Sequence, residues 1–236
     1  MQTAFLRPLL FAAALAVSVA APAQQPPMPG AVDVPSYLAP MVMGNQAGEL
    51  LRQVDKKQAQ GGTDASSAST LTHATGALSG PHALAASAPP DKRAALEARL
   101  TRVFGAWQQL EKQLQLPPDD AAGAVAACIA GSYMVTHDVD LPDADFVALV
   151  GQMRAALQSN PGFTQASAQQ RRTMYEELAI IGTLMATGRE AVKRGQVDAR
   201  AADGLKRNAR ANLDQLLGAD ADRAAIGPHG LEIRAQ

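Results

Sequence analysis

The residues that come nearest to chemistry lie at 136–145, Thr-His-Asp-Val-Asp-Leu-Pro-Asp-Ala-Asp. His137, Asp138, Asp140 and Asp143 bring one imidazole and three carboxylates into a short stretch, a set that suits a divalent cation. A calcium loop of the helix–loop–helix type needs oxygen ligands at alternate positions, then a glycine and a distal glutamate. Setting Asp138 and Asp140 at its first two ligand positions puts Pro142 at the third. Asp143 then stands where the glycine belongs and Leu149 where the glutamate belongs. A zinc site needs more imidazoles or thiols nearby, and His73, His82 and His229 are scattered. The same residues serve a helix junction well. Asp140 can cap the following helix, and Pro142 is tolerated in a first turn. Asp143 and Asp145 suit the positive end of the dipole, and His137 suits the negative end of the preceding helix. The stretch therefore reads first as a structural corner and only weakly as a metal site, and no cofactor is expected.

Tyr175, Glu176 and Glu177 are the other carboxylate-bearing group. Adjacent residues on a helix point about 100° apart, so the two glutamates do not converge on one atom. Their place near a helix start reads first as charge stabilised by the helix dipole, and second, for Glu176 with Tyr175, as a buried polar link to the acidic corner. Cys128 is the single cysteine, so an intramolecular disulfide is ruled out and burial as a small apolar residue is expected. Glycine-rich phosphate loops, H-E-x-x-H and G-x-S-x-G are all missing from the sequence.

The elements that must position these groups are helical. Leu96, Leu100, Val103, Trp107, Leu110 and Leu114 recur at steps of four and three, the stripe of a long helix that Asp91 would cap and Pro117-Pro118 would end. A second helix begins near Asp119-Asp120 and is almost uniformly small and apolar. Its Gly123, Ala127 and Gly131, four residues apart, invite close approach by a neighbour. The third carries Phe146, Leu149, Val150, Met153 and Leu157 and is broken by Asn160-Pro161-Gly162. Ser167 and Gln170 form a capping box for the longest helix, lined by Met174, Leu178, Ile181, Met185 and Val192 and stopped at Gly195. Asp198 caps a fifth helix with Leu205, Ala209, Leu213 and Leu216, ended by Gly218. The expected fold is all-α, a bundle of about five helices over residues 91–218, followed by a tail at 219–236.

What precedes the bundle differs in kind. Residues 1–23 carry Arg7, an apolar run from Leu9 to Ala21 and the small-residue close Ala21-Pro22-Ala23, the pattern of a secretory signal peptide with a mature start at Gln24. The run is short for a membrane span, so no stable anchor is expected after cleavage. Residues 24–90 read as a flexible low-complexity arm and linker, with a possible short helix at 45–58. Removing Arg7 from the 21 basic residues leaves 20 against 22 acidic ones, a formal charge of −2. A near-neutral chain with no basic run argues against nucleic acid as a partner.

Three stretches, G-S-Y-M-V-T-H-D at 131–138, Q-M-R-A-A-L at 152–157 and Y-E-E-L-A-I-I-G at 175–182, resemble an uncharacterised family of exported bacterial proteins. The resemblance covers roughly residues 85–226. It implies a signal peptide, a variable low-complexity segment and a helical domain of unknown function, and carries no activity with it.

The expected function is therefore a non-catalytic exported protein, periplasmic or extracellular, acting through an unknown protein partner. The alternative is a small-molecule or lipid-binding bundle, motivated by Ala126, Gly131, Met134, Met153, Met174 and Met185 on inward faces, since small residues leave room and methionine adapts. An enzyme with dispersed residues comes third.

Overall fold

The computed structural model describes residues 69–73 and 76–235. The signal-peptide segment, most of the arm and the short helix expected at 45–58 lie outside them. Among the described residues seven α-helices run in chain order: α1 Gly80–Ala85, α2 Pro90–Gln113, α3 Ala121–His137, α4 Asp143–Gln158, α5 Pro161–Gln165, α6 Ala168–Lys193 and α7 Ala199–Leu217. A 3-10 turn at Gly218–Asp220 leads to strands β1 Ala224–Gly227 and β2 Gly230–Ile233. The five long helices are the expected five. The two short ones and the strands are additions.

α3 is the centre. Every residue from Ala121 to Ser132 is buried, because α6, α7 and α4 pack around it. Small side chains allow this. A Cβ on Gly182 of α6 would lie 2.5 Å from the Ala127 carbonyl oxygen, and one on Gly131 would lie 2.6 Å from the Gly182 carbonyl oxygen. The two backbones touch where glycines face each other, the approach that Gly131 announces in sequence. Asp120 caps α3, accepting from the Ala122 amide at 3.0 Å, and its second oxygen accepts from Arg154 of α4 at 2.5 and 3.1 Å. That pair fixes the start of α3 against the middle of α4.

The buried face of α2 is rotated from the expected stripe. Leu100, Phe104, Trp107 and Glu111 are buried, whereas Leu96, Val103, Leu110 and Leu114 only flank the core. Asp91 lies in the first turn but does not cap; Pro89 holds the cap position and Pro90 opens the helix. α6 has its capping box, with the Gln170 amide donating to Ser167 Oγ at 3.2 Å and the Ser167 amide donating to Gln170 Oε1 at 2.9 Å. α7 is capped by Asp198, which accepts from the Ala201 amide at 2.8 Å.

Two expectations need correction. The linker read through residue 90 is ordered at its far end. The backbone of Thr70 and Thr72 pairs with Ala121 and Asp119, and α1 packs on α2 and α6. Thr70, Thr72, Leu84 and Ala85 are buried, so composition understated how much of this segment is covered. The tail read at 219–236 contains an antiparallel hairpin, Ala224 opposite Ile233 and Gly227 opposite Gly230. Gln152 of α4 holds it, donating to the Leu231 carbonyl at 2.9 Å and accepting from the Leu231 amide at 2.7 Å. Strands of four residues are too short for alternation to stand out. Among the described residues no helix is long and apolar enough to cross a membrane.

Candidate functional site

At the acidic corner the expected cap is absent. Pro142 occupies the cap position of α4 without a side-chain bond, and Asp140 turns instead to α6. Arg189 Nη1 donates to Asp140 at 2.6 Å and Nη2 to Asp138 at 3.2 Å, while Lys193 reaches Asp140 at 3.2 and 3.3 Å. Cations of α6 compete with capping for these carboxylates and win because charge-assisted bonds are the stronger ones. The Arg189 hydrogen bond holds the Asp140 carboxyl below its ordinary range. Asp138 ends α3 in the left-handed conformation at φ 53°, which aspartate tolerates. His137 lies against Tyr133 with ring centroids 4.4 Å apart and the rings tilted by 40°, and burial lowers its pKa. Asp143 stands apart from this network. Among the described residues no group of three or more His, Cys, Asp or Glu side chains is placed to hold a metal ion.

Glu176 is buried, as the Tyr175 stretch suggested, but it does not reach the corner. Arg189 lies thirteen residues farther along α6, about 20 Å at the rise of a helix. Glu176 Oε1 accepts from Arg172 Nε at 2.6 Å, and Oε2 accepts from the Ser79 and Gly80 amides at 2.8 and 2.7 Å. Arg172 Nη1 also donates to Asp119 at 2.6 Å. Gly80 is required there, because a Cβ would collide with that of Glu176. Glu177 has no such partners among the described residues; burial and the neighbouring Glu176 charge raise its pKa to about 7.

Tyr175 turns the other way. Its hydroxyl accepts from Trp107 Nε1 at 3.2 Å and donates to Glu111, 3.0 Å from either carboxylate oxygen. Burial raises the Glu111 pKa to about 7 against the opposing Tyr175 bond. Tyr175 is 0 % exposed and Glu111 2 %, so the hydroxyl and the carboxyl are closed to any substrate. Phe104 meets Tyr175 edge to face at 5.6 Å, and the Arg172 guanidinium lies 5.0 Å over the Tyr175 ring. Sequence reading missed Glu111, although its seven-residue spacing from Phe104 places both on one helix face. Cys128 is buried as expected, and desolvation pushes its thiol up to about 12, away from nucleophilic use.

Beside the α3–α6 contact a cleft remains, with about 70 Å³ of room for water-sized groups. Trp107 and Leu110 of α2 with Leu114 just beyond it form one wall; Ala127, Ala130, Gly131 and Met134 of α3 form the next. Leu141, Asp143 and Phe146 close one side, and Gly182, Thr183 and Ala186 of α6 the other. Of the inward small and methionine residues singled out in sequence, Gly131 and Met134 line this space. Ala126, Met153, Met174 and Met185 are packed in the core instead. The walls are carbon apart from Asp143 and Thr183. The Thr183 hydroxyl is committed, donating to the Ala179 carbonyl at 2.8 Å.

The fold and cleft define an all-α bundle built on a glycine-faced central helix pair, with sealed polar cross-links and one apolar recess. The chain belongs to a family of unknown function, DUF6683, which it matches over residues 6–234. That span exceeds the 85–226 over which the resemblance was read and takes in the N-terminal arm. No curated protein and no solved structure matches the chain.

Proposed function

We propose that this is an exported, non-catalytic binding protein whose ligand is a small, largely apolar molecule lodged in the cleft between α2, α3, α4 and α6. The cleft carries the reading, since an apolar recess with one or two polar groups in its wall is the usual form of a small-molecule site. Support for a non-catalytic role comes from Glu111 and Tyr175, two of the groups burial perturbs most, which are enclosed and satisfy each other. Support for export is the leader at 1–23, with Arg7, its apolar run and the Ala21-Pro22-Ala23 close. The test is native mass spectrometry of the purified protein against its denatured mass. An excess that disappears on denaturation, and is absent from an Ala186→Leu variant that fills the cleft, is expected. A bare mass together with indifference to added apolar probes would remove the reading. N-terminal sequencing of the exported chain should begin at Gln24; retention of Met1 in the cytoplasm would overturn the export.

A protein partner engaging the arm is the second reading, favoured by the extent of the family match, which begins at residue 6. Deleting residues 24–60 should then abolish partner association and leave the melting temperature unchanged.

A further inference from the structure

We propose that the cleft selects an amphiphile carrying a positively charged amine, with the ammonium group on Asp143 and the apolar body against Trp107, Met134 and Phe146. This rests on the cleft being a ligand site and adds the chemical class of the ligand. Asp143 Oδ1 is buried, and no donor among the described residues reaches it. Arg189 and Lys193, the cations of the neighbouring corner, are engaged by Asp138, Asp140 and Glu190. Burial raises the Asp143 pKa. The position of Asp143 in the first turn of α4 still favours its ionised form. A carboxyl group in the wall of a carbon-lined cleft is complementary to one kind of ligand head. An ammonium donates hydrogen bonds and supplies the opposite charge, an alcohol donates one neutral bond, and a carboxylate is repelled.

Trp107 lines the cleft and is the chain's sole tryptophan, so its fluorescence reports occupancy directly. The purified full chain is titrated at pH 7 with n-hexylamine, n-hexanol and sodium hexanoate, and the titrations are repeated on Asp143→Asn. The expected order is hexylamine first, about tenfold tighter than hexanol, the scale of one charge-assisted hydrogen bond. Hexanoate should be weakest. Asp143→Asn should bring hexylamine down to the level of hexanol and leave hexanol unchanged. Equal binding of hexylamine and hexanol to the unaltered chain overturns the amine proposal while leaving the cleft as a ligand site. An amine preference that survives in Asp143→Asn overturns it as well. If none of the three probes perturbs Trp107, the cleft reading fails and the proposal falls with it. The comparison of probes on the unaltered chain stands even if the variant folds poorly.

Discussion

Burial of Glu111 makes the protein's stability depend on pH in an unusual direction. Its carboxyl titrates at about 7 in the folded chain against an ordinary value of 4.5. Between those values the folded state holds a proton that the unfolded state releases. Stability therefore falls as pH rises from about 4.5 to 7 and is flat above, by about 3 kcal/mol for a shift of that size. Glu177 adds in the same direction. Asp140, held below its ordinary value of 3.8, acts only at lower pH, where its contribution is lost on acidification. The melting temperature should thus be higher at pH 5 than at pH 8, and Glu111→Gln should flatten that slope. An unaltered slope in the variant would mean that Glu111 ionises like an exposed carboxyl. Tyr175→Phe removes the acceptor of Trp107 Nε1 and the donor to Glu111 together. It should cost about 1–3 kcal/mol at pH 8, where the orphaned carboxylate is charged; urea denaturation measures it, and a loss under about 0.5 kcal/mol would show that the trio is not coupled.

Helix packing rests on glycines chosen by what faces them. Gly182→Ala would drive a methyl into the Ala127 peptide, backbone against backbone, with no side chain able to yield. A loss of about 3 kcal/mol or more is expected from such overpacking. Gly151 in the middle of α4 has nothing within 4 Å of its missing Cβ, so Gly151→Ala should stabilise by about 1 kcal/mol through helix propensity alone. Thermal denaturation of the two variants separates these cases; matching shifts would mean that α3 and α6 are not in close contact. Sequence showed half of this seam. Gly123, Ala127 and Gly131 repeat every four residues, and the last two face Gly182, a lone glycine in an apolar run that carries no pattern. The long helices were legible because caps and periodicity agree at Ser167, Asp198, Gly195 and Gly218. α2 shows where periodicity misleads. A stripe of aliphatics at Val103 and Leu110 stands out over the true face because that face holds Glu111, a carboxyl that Tyr175 bonds inside the core. The acidic corner was legible as a helix junction, but its partner Arg189 lies some fifty residues away and no local rule reaches it.

At the scale of the whole molecule, the folded unit begins earlier than composition suggests. Cutting at residue 91, where helical periodicity starts, would discard Thr70, which accepts from the first amide of α3, and Thr72, which donates to the left-handed turn at Asp119. It would also discard the Ser79 and Gly80 amides and leave the Glu176 carboxylate, 1 % exposed, with Arg172 as its main partner. Arg172 is shared with Asp119, so both attachments converge on one guanidinium. Hydrogen bonds to a charged group contribute about 1.5–3 kcal/mol each. Losing the two at Glu176, with the cover that Leu84 and Ala85 give the core, should make a chain of residues 91–236 at least about 3 kcal/mol less stable than one of residues 69–236. The shorter chain should also expose the Arg172–Glu176 pair to solvent, so its stability should depend more steeply on salt. Urea denaturation of both chains at low and high ionic strength reads both effects. Equal stabilities would make residues 69–85 passengers on a bundle complete without them. A deficit that salt does not change would place the loss in the apolar cover of α1 instead of in the buried carboxylate.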